Sequence, residues 1–267
     1  MEKKLSFIGC GNMARAMING IIESQFCSAE KITVTDIMSD EAKKYAIEKK
    51  INFASSSADA VRAGDIIFLC VKPNQLNDVC ETISQSVENK IVVSIAAGMK
   101  ISLISTWLPE NTKLMRAMPN LPITVGHGMS VICGNDEVNE DDLEYVLSCV
   151  SSFGRAAILS EDKIDAFTTI ASSSPAMLFI MLEAMADGGV LLGLSREESY
   201  VMAAQAMTGA AQMVLMSKKH PAELKDAVCS PGGTTIEMVA MLEECGFRSA
   251  VIESMAVCYE KCKELSE

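Results

Sequence analysis

The residues Gly9-Cys10-Gly11-Asn12-Met13-Ala14 form a G-x-G-x-x-A spacing directly after the apolar run Leu5-Ser6-Phe7-Ile8. Glycines at this spacing permit a tight turn and let the main chain approach a pyrophosphate. The phosphate charge then rests at the N-terminus of the following helix. The spacing alone also fits an ordinary Gly-rich turn, but its place between a strand pattern and a helix pattern points to dinucleotide binding. Asp36 ends the next β-branched run, Lys31 to Thr35. A carboxylate there accepts from adenosine ribose hydroxyls, which suits NADH; NADPH is better served by a basic residue. Asp40 and Glu41 follow before the first lysine, Lys43. The other reading is that Asp36 caps the next helix and that serines or main chain read a 2′-phosphate.

Two further segments follow strand patterns, where ligands of open α/β sheets bind. These are Val71-Lys72-Pro73-Asn74 and Ala96-Ala97-Gly98, whose small residues would let a nicotinamide ring approach. Lys72 also reads as a solvated surface lysine. Farther on, Cys229-Ser230-Pro231-Gly232-Gly233-Thr234-Thr235-Ile236-Glu237 puts Pro and two glycines before a helix that starts near Thr235. Such a turn is a nest of N–H groups suited to a carboxylate. It fits equally well as a capping turn, with Thr234 and Glu237 as a capping box. No G-x-S-x-G elbow, zinc spacing or P-loop occurs. His127 and His220 stand beside Gly or Pro in loop patterns, which argues against a His-dependent dehydrogenase. Cys258 and Cys262 have i, i+4 spacing, which reads as one edge of a packed helix; no metal site is expected.

These residues need elements to position them, and the hydrophobic pattern supplies two kinds. Up to about Ser160, strand and helix patterns alternate. Strands are predicted at 5–8, 31–35, 65–71, 91–95, 112–117, 128–133 and 155–159, with helices at 12–24, 39–50, 76–87 and 140–152. This is an α/β signature: a Rossmann-type, doubly wound, mostly parallel sheet. The run Asp65 to Val71 is continuously apolar after its first residue, as expected of a strand covered on both faces. After Ser160 only helices are predicted, at 163–172, 175–192, 196–217, 235–245 and 249–265, with Ser195 and Glu198 as a capping box. The expected domains are therefore 1–160, dinucleotide-binding, and 161–267, all-helical. From Tyr200 to Met216 no charge occurs on any face. A helix apolar all round must be buried all round, and a small helical domain cannot surround it alone. A second subunit is the economical cover.

Bulk composition removes other classes. Asp and Glu number 35 against 23 Lys and Arg, a net charge of −12, so no nucleic-acid partner is expected. Apolar residues at 49% exclude intrinsic disorder. The N-terminal apolar stretch is too short for a signal-peptide core, and the uncharged stretch at 200–216 falls short of a membrane span. A cytoplasmic protein with reduced thiols and no membrane partner is expected.

Read together, these segments resemble the pyrroline-5-carboxylate reductase family over nearly the whole chain. The resemblance rests on FIGCGNMARAMINGII, VKPNQL, VVSIAAG, RAMPNLPITVGHGM, SSSPAMLFIMLEAMADGGVLLGLSRE and HPAELKDAVCSPGGTTIEMVAMLEECGFRSAVIESM. It implies reduction of 1-pyrroline-5-carboxylate to L-proline by NADPH or NADH. It implies a helical dimerisation domain, homodimers, and decamers built from them. Carried over by position, Gly9 to Ala14, Ser57, Val71 to Pro73 and Ala96 to Gly98 would contact the dinucleotide. Val228, Ser230, Gly232, Gly233, Thr234 and Thr235 would cradle the substrate carboxylate, with the Thr235 hydroxyl near the ring nitrogen. Ser172, Ser174, Met177, Leu121 and His127 depart from the family pattern and bear on substrate fit. Two rival functions share parts of this layout. A β-hydroxyacid dehydrogenase would use a Lys within an Asn-bearing helical motif, and Lys163 lacks those Asn partners. A non-catalytic dinucleotide-binding regulator would need no SPGGTT turn.

Overall fold

A computed structural model of the chain describes residues 2–266. Eight strands form one sheet: β1 Leu5–Ile8, β2 Ile32–Thr35, β3 Asn52–Phe53, β4 Ile66–Leu69, β5 Ile91–Ser94, β6 Lys113–Met118, β7 Gly128–Gly134 and β8 Gly154–Ile158. Their order is β3-β2-β1-β4-β5-β6-β7-β8, so the chain reverses its direction of travel across the sheet between β1 and β4. All pairs are parallel except β6 with β7. That exception follows from the short link between them, Pro119 to His127, which turns the chain back without a crossover helix.

The sheet is covered on both faces, which is why its strands are apolar at successive positions. On one face, Leu5, Phe7, Ile66 and Phe68 meet helices α1 (Asn12–Glu23), α2 (Ser39–Lys49) and, farther along the sheet, α6 (Glu140–Ser151). Phe7 and Phe68 stack there with ring centres 4.8 Å apart. On the other face, Ile8, Ile67 and Leu69 meet α3 (Ser57–Ala63), α4 (Leu76–Ile83) and α5 (Ile101–Ser105). The elements β3, α3, α5 and a helix at Pro221–Val228 are absent from the sequence reading. They are two, seven, five and eight residues long, too short to display a clear period.

Contacts divide the chain into two units. The first runs to Ser172 and resumes at Tyr259; the second is Ser173–Cys258. The division falls after Ser160 because α7 (Ile164–Phe167) buries Ile164 and Phe167 in the second face of the sheet's core. The helical unit holds α8 (Ser174–Leu191), α9 (Arg196–Ser217), α10 (Pro221–Val228), α11 (Thr234–Glu244) and most of α12 (Phe247–Ser266). Helices α8 and α9 pack closely at Gly189, where a Cβ would lie 2.5 Å from the Ser199 hydroxyl oxygen. The capping box at Ser195 and Glu198 forms as expected: the Glu198 N–H donates to Ser195 Oγ at 3.2 Å, and the Ser195 N–H to Glu198 Oε2 at 3.1 Å. The expected box at Thr234 and Glu237 does not form. The N-cap of α11 is Gly233, already extended and without a side-chain cap, so Thr234 is the first helical residue.

Within one chain, α9 buries only Ser199 and Ala203; Val201, Met202, Met213 and Met216 are more than half exposed. The complete burial expected of this helix is therefore not supplied by its own chain. The helical run Glu161–Leu191 also contains an 18-residue stretch apolar enough, by length and composition alone, to cross a membrane, and 11% of that stretch is buried.

One polar contact ties distant parts of the sheet unit together. Asp142, in the first turn of α6, accepts from Lys3 Nζ at 2.7 Å and from Lys113 Nζ at 2.5 Å. Burial raises its pKa, but the hydrogen bonds from Lys113 and Lys3 outweigh that, so the net shift is downward. A carboxyl with a depressed folded-state pKa contributes stability at neutral pH that is lost as pH falls through that lowered value. We expect Asp142→Asn to lose about 1–3 kcal/mol at neutral pH, the scale of hydrogen bonds to charged groups. The difference from wild type should shrink towards acid pH. Thermal melts from neutral pH to about pH 3 check this; an unchanged difference across that range would refute the role.

Candidate functional site

The Gly-rich turn sits where β1, β2 and β4 end side by side. Gly9 has φ +101°, and its amide N–H donates to Thr35 O at 2.9 Å. A Cβ on Gly9 would lie 2.5 Å from the Cys70 carbonyl oxygen at the end of β4. Only glycine fits both the left-handed backbone and this approach. Gly11 is different. It is the N-cap of α1 with φ −76°, and a Cβ on it would meet nothing within 4 Å. Gly11 therefore keeps a space clear.

That space is a cleft of about 450 Å³. Gly9, Gly11, Asp36, Ser57, Val71 and Lys72 share its wall, so six of the predicted cofactor residues come together. α1 has neither a side-chain cap nor an acid in its first turn. Its leading N–H groups and positive dipole end are thus available to an anion. This combination, a cleared main-chain approach and an uncapped helix N-terminus, fits a dinucleotide pyrophosphate. Cys10, Asn12, Met13 and Ala14 do not line the cleft. Cys10 and Ala14 are buried beneath the turn, and burial pushes the Cys10 thiol pKa up, so it serves packing and not thiolate chemistry.

Asp36 does two jobs at the end of β2. Its Oδ2 accepts from the Cys10 N–H at 2.6 Å and its Oδ1 from the Met38 N–H at 2.7 Å. The carboxylate thus staples the Gly-rich turn to the segment leading into α2. Sequence reasoning missed the neighbouring Thr35, Ile37, Ser39, Ser55, Ser56 and Gln75, which also face the cleft. The run Ser55-Ser56-Ser57 was the available signal. Ser55 and Ser56 donate to Asp59 Oδ2 at 3.2 and 2.6 Å, and Ser56 caps α3.

The remaining predicted cofactor residues belong elsewhere. Pro73, Ala97 and Gly98 line a second cavity of about 260 Å³, together with Met118, Asp165 and the last turn of α12. Ala96 is buried in the core. Gly98 has φ +74°, and a Cβ on it would lie 2.7 Å from the Leu265 carbonyl oxygen. Its small size accommodates the end of α12, which corrects the expectation that Gly98 stands open to a ring. Ser266 Oγ anchors that turn by donating to Asp165 Oδ1 at 3.0 Å.

In the helical unit, the turn before α11 closes with the Gly233 N–H donating to Ser230 O at 3.0 Å, and Gly232 has φ +67° with open space beside it. Since Gly233 provides no side-chain cap, the first N–H groups of α11 are again available to an anion. Thr234 and Thr235 lead this helix, Ser230 is exposed, and Val228 ends α10 with 62% of its surface exposed. His220 is a cap: its Nδ1 accepts from the Ala222 N–H at 3.2 Å at the start of α10.

Comparison with known proteins agrees with this layout. Residues 161–265 match the family description "Pyrroline-5-carboxylate reductase dimerisation", and residues 4–98 match "NADP oxidoreductase coenzyme F420-dependent". The chain is 43% identical to the pyrroline-5-carboxylate reductase of Escherichia coli (strain K12), covering 100% of both chains. Among solved structures it is similar to a pyrroline-5-carboxylate reductase from Coxiella burnetii, with TM-score 0.95, 30% identity and 100% coverage of both chains. It is also similar to the Plasmodium falciparum pyrroline carboxylate reductase with NADP bound, with TM-score 0.89, 30% identity and 100% coverage of both.

The two glycines of the turn should respond differently to one methyl group. Gly9→Ala forces a clash with main chain at positive φ and should cost about 1–3 kcal/mol of stability or more. Gly11→Ala should leave the melting temperature near wild type yet weaken dinucleotide binding, because its Cβ enters the cleft. Thermal melts with and without cofactor check both; normal binding by a folded Gly11→Ala protein would refute the assignment of that space.

Proposed function

This chain belongs to the pyrroline-5-carboxylate reductase family, and we propose from its geometry that it reduces 1-pyrroline-5-carboxylate to L-proline with NADPH or NADH. The observation that carries the reading is the pair of helix N-termini, α1 and α11, left without side-chain caps behind Gly-rich turns. One suits the pyrophosphate of the cofactor and the other the carboxylate of the substrate. Gly9, Gly11, Asp36, Ser57, Val71 and Lys72, which share the cleft wall, form the cofactor side. Val228, Ser230, Gly232, Gly233, Thr234 and Thr235 form the substrate side.

When bound, the reduced nicotinamide supplies a hydride. The chain's own task is to bind, orient and polarise. Main-chain N–H groups at the start of α11 hold the substrate carboxylate and so fix the ring. The Thr235 hydroxyl hydrogen-bonds the ring nitrogen. Protonation of that nitrogen makes the adjoining carbon electrophilic, so positioning matters more than a strong side-chain acid. This accounts for a site without a catalytic histidine: His220 is taken up as a helix cap, and His127 lies in an exposed turn.

The exposed apolar surface of α8 and α9 supports a homodimer, and a decamer built from five such dimers is the larger assembly this reading includes. We read that surface as facing another subunit and not lipid, since residues 161–265 match the family's dimerisation region. The net charge of −12 disfavours nucleic acid. A cytoplasmic location accords with a biosynthetic reductase.

Three outcomes are expected. Purified protein should oxidise reduced cofactor only when the imine is present, with proline as product by amino-acid analysis; cofactor binding without turnover would favour a regulator. Thr235→Ala should lower kcat/KM by about tenfold to a hundredfold, equivalent to a hydrogen bond to a charged group, with cofactor affinity unchanged. An unaltered rate at saturating cofactor would sink that role. Ala206, exposed on α9, gives the assembly test: Ala206→Glu should fold yet sediment as a smaller species, whereas an unchanged assembly would move the interface elsewhere.

A further inference from the structure

We propose that Asp36 is a specificity-determining residue that sets this site for NADH over NADPH, an inference that rests on the dinucleotide reading above. The carboxylate is held on both sides. Its Oδ2 accepts from the Cys10 N–H at 2.6 Å and its Oδ1 from the Met38 N–H at 2.7 Å. It lies on the cleft wall at the end of β2, where this kind of sheet reads the adenosine ribose. A carboxylate offers about four lone-pair positions. Main-chain donors occupy two, so capacity remains for ribose hydroxyls. A 2′-phosphate would instead bring up to two negative charges against a fixed one. The carboxylate cannot swing away without giving up both main-chain bonds, one of which shapes the Gly-rich turn.

The neighbouring cations Arg15 and Lys43 each rest against an aromatic ring. Arg15 donates through Nε to Cys10 O at 2.8 Å, lies 5.0 Å over the Tyr45 ring and faces Glu41 at 4.0 Å. Lys43 lies 5.3 Å over the Phe53 ring. Lys72 is the cation among the described residues of the cleft wall, but it follows β4, and β1 separates that strand from β2. Two of the cleft's serines give no neutral refuge either. The hydroxyls of Ser55 and Ser56 donate to Asp59, so a phosphate placed on them would meet a second carboxylate.

The test is binding, measured by fluorescence titration on the full chain without imine, with NADH and NADPH as probes and 5′-AMP and adenosine 2′,5′-bisphosphate as fragments. Wild type should bind NADH about tenfold more tightly than NADPH, the scale of one partly screened charge contact. The gap should narrow as salt is added, and the two fragments should show the same order. Asp36→Asn keeps an acceptor for the Cys10 N–H but removes the charge; it should shrink the gap through tighter NADPH binding. Asp36→Ser should do the same. Equal affinities in wild type, tighter NADPH, or an unchanged ratio in both folded variants would overturn the proposal. A protein that binds as expected but turns over no imine would overturn the reductase reading and leave this one standing.

Discussion

The architecture depends on the close approach of Gly9 to the main chain at the end of β4. Its backbone lies in the left-handed region, its amide bonds to β2, and its missing side chain lets Cys70 come within contact. Through this residue β1 joins both neighbours at the point where strand order reverses. Everything useful in the cleft is set from there. The turn carries the chain up into α1, leaves Gly11 over open space, and brings the Cys10 amide onto Asp36. A Cβ at Gly9 would push apart the strands whose ends form the site.

Main-chain N–H groups are the donors that both Gly-rich turns leave open. Both Gly-rich turns lead into helices whose first N–H groups lack side-chain caps. Four other helices take a side-chain cap, at Ser56, Asn139, Ser195 and His220, whereas α2, α4, α5, α7 and α8 have none. The contrast has a physical meaning: a capped N-terminus is satisfied internally, whereas an uncapped one at a glycine retains donors for a ligand. Side-chain charge enters mainly through Asp36, which is both a structural staple and a negative wall.

The end of α12 illustrates how one small residue can serve packing where binding is expected. Gly98 follows β5, where a ligand ring would be looked for in this class of sheet. In the folded chain the Leu265 carbonyl lies against it, and Ser266 is anchored to Asp165. The final turn of the chain thus lines a cavity with Pro73 and Ala97. The helical unit, for its part, leaves α8 and α9 with wide apolar exposure that one chain does not cover.

Much was legible in the sequence because it is written locally. The strands β1, β2, β4, β5 and β7, the helix α9 with its capping box, and the Gly-rich turn all follow from short-range pattern and the conformational range of glycine. Family resemblance over whole segments supplied the activity. Other features depend on partners remote in sequence. That Gly9 rests on Cys70, that Asp36 takes the Cys10 amide, and that Lys3 and Lys113 converge on Asp142 are facts of strand order, invisible in spacing. The short elements β3, α3 and α5 have too few residues to show a period and are held by the surrounding core. The capping box read at Thr234 failed because Gly233 was already extended and took the cap position itself. Local chemistry determined which turns could bind anions; tertiary packing decided which residues face the cleft and which only hold it open.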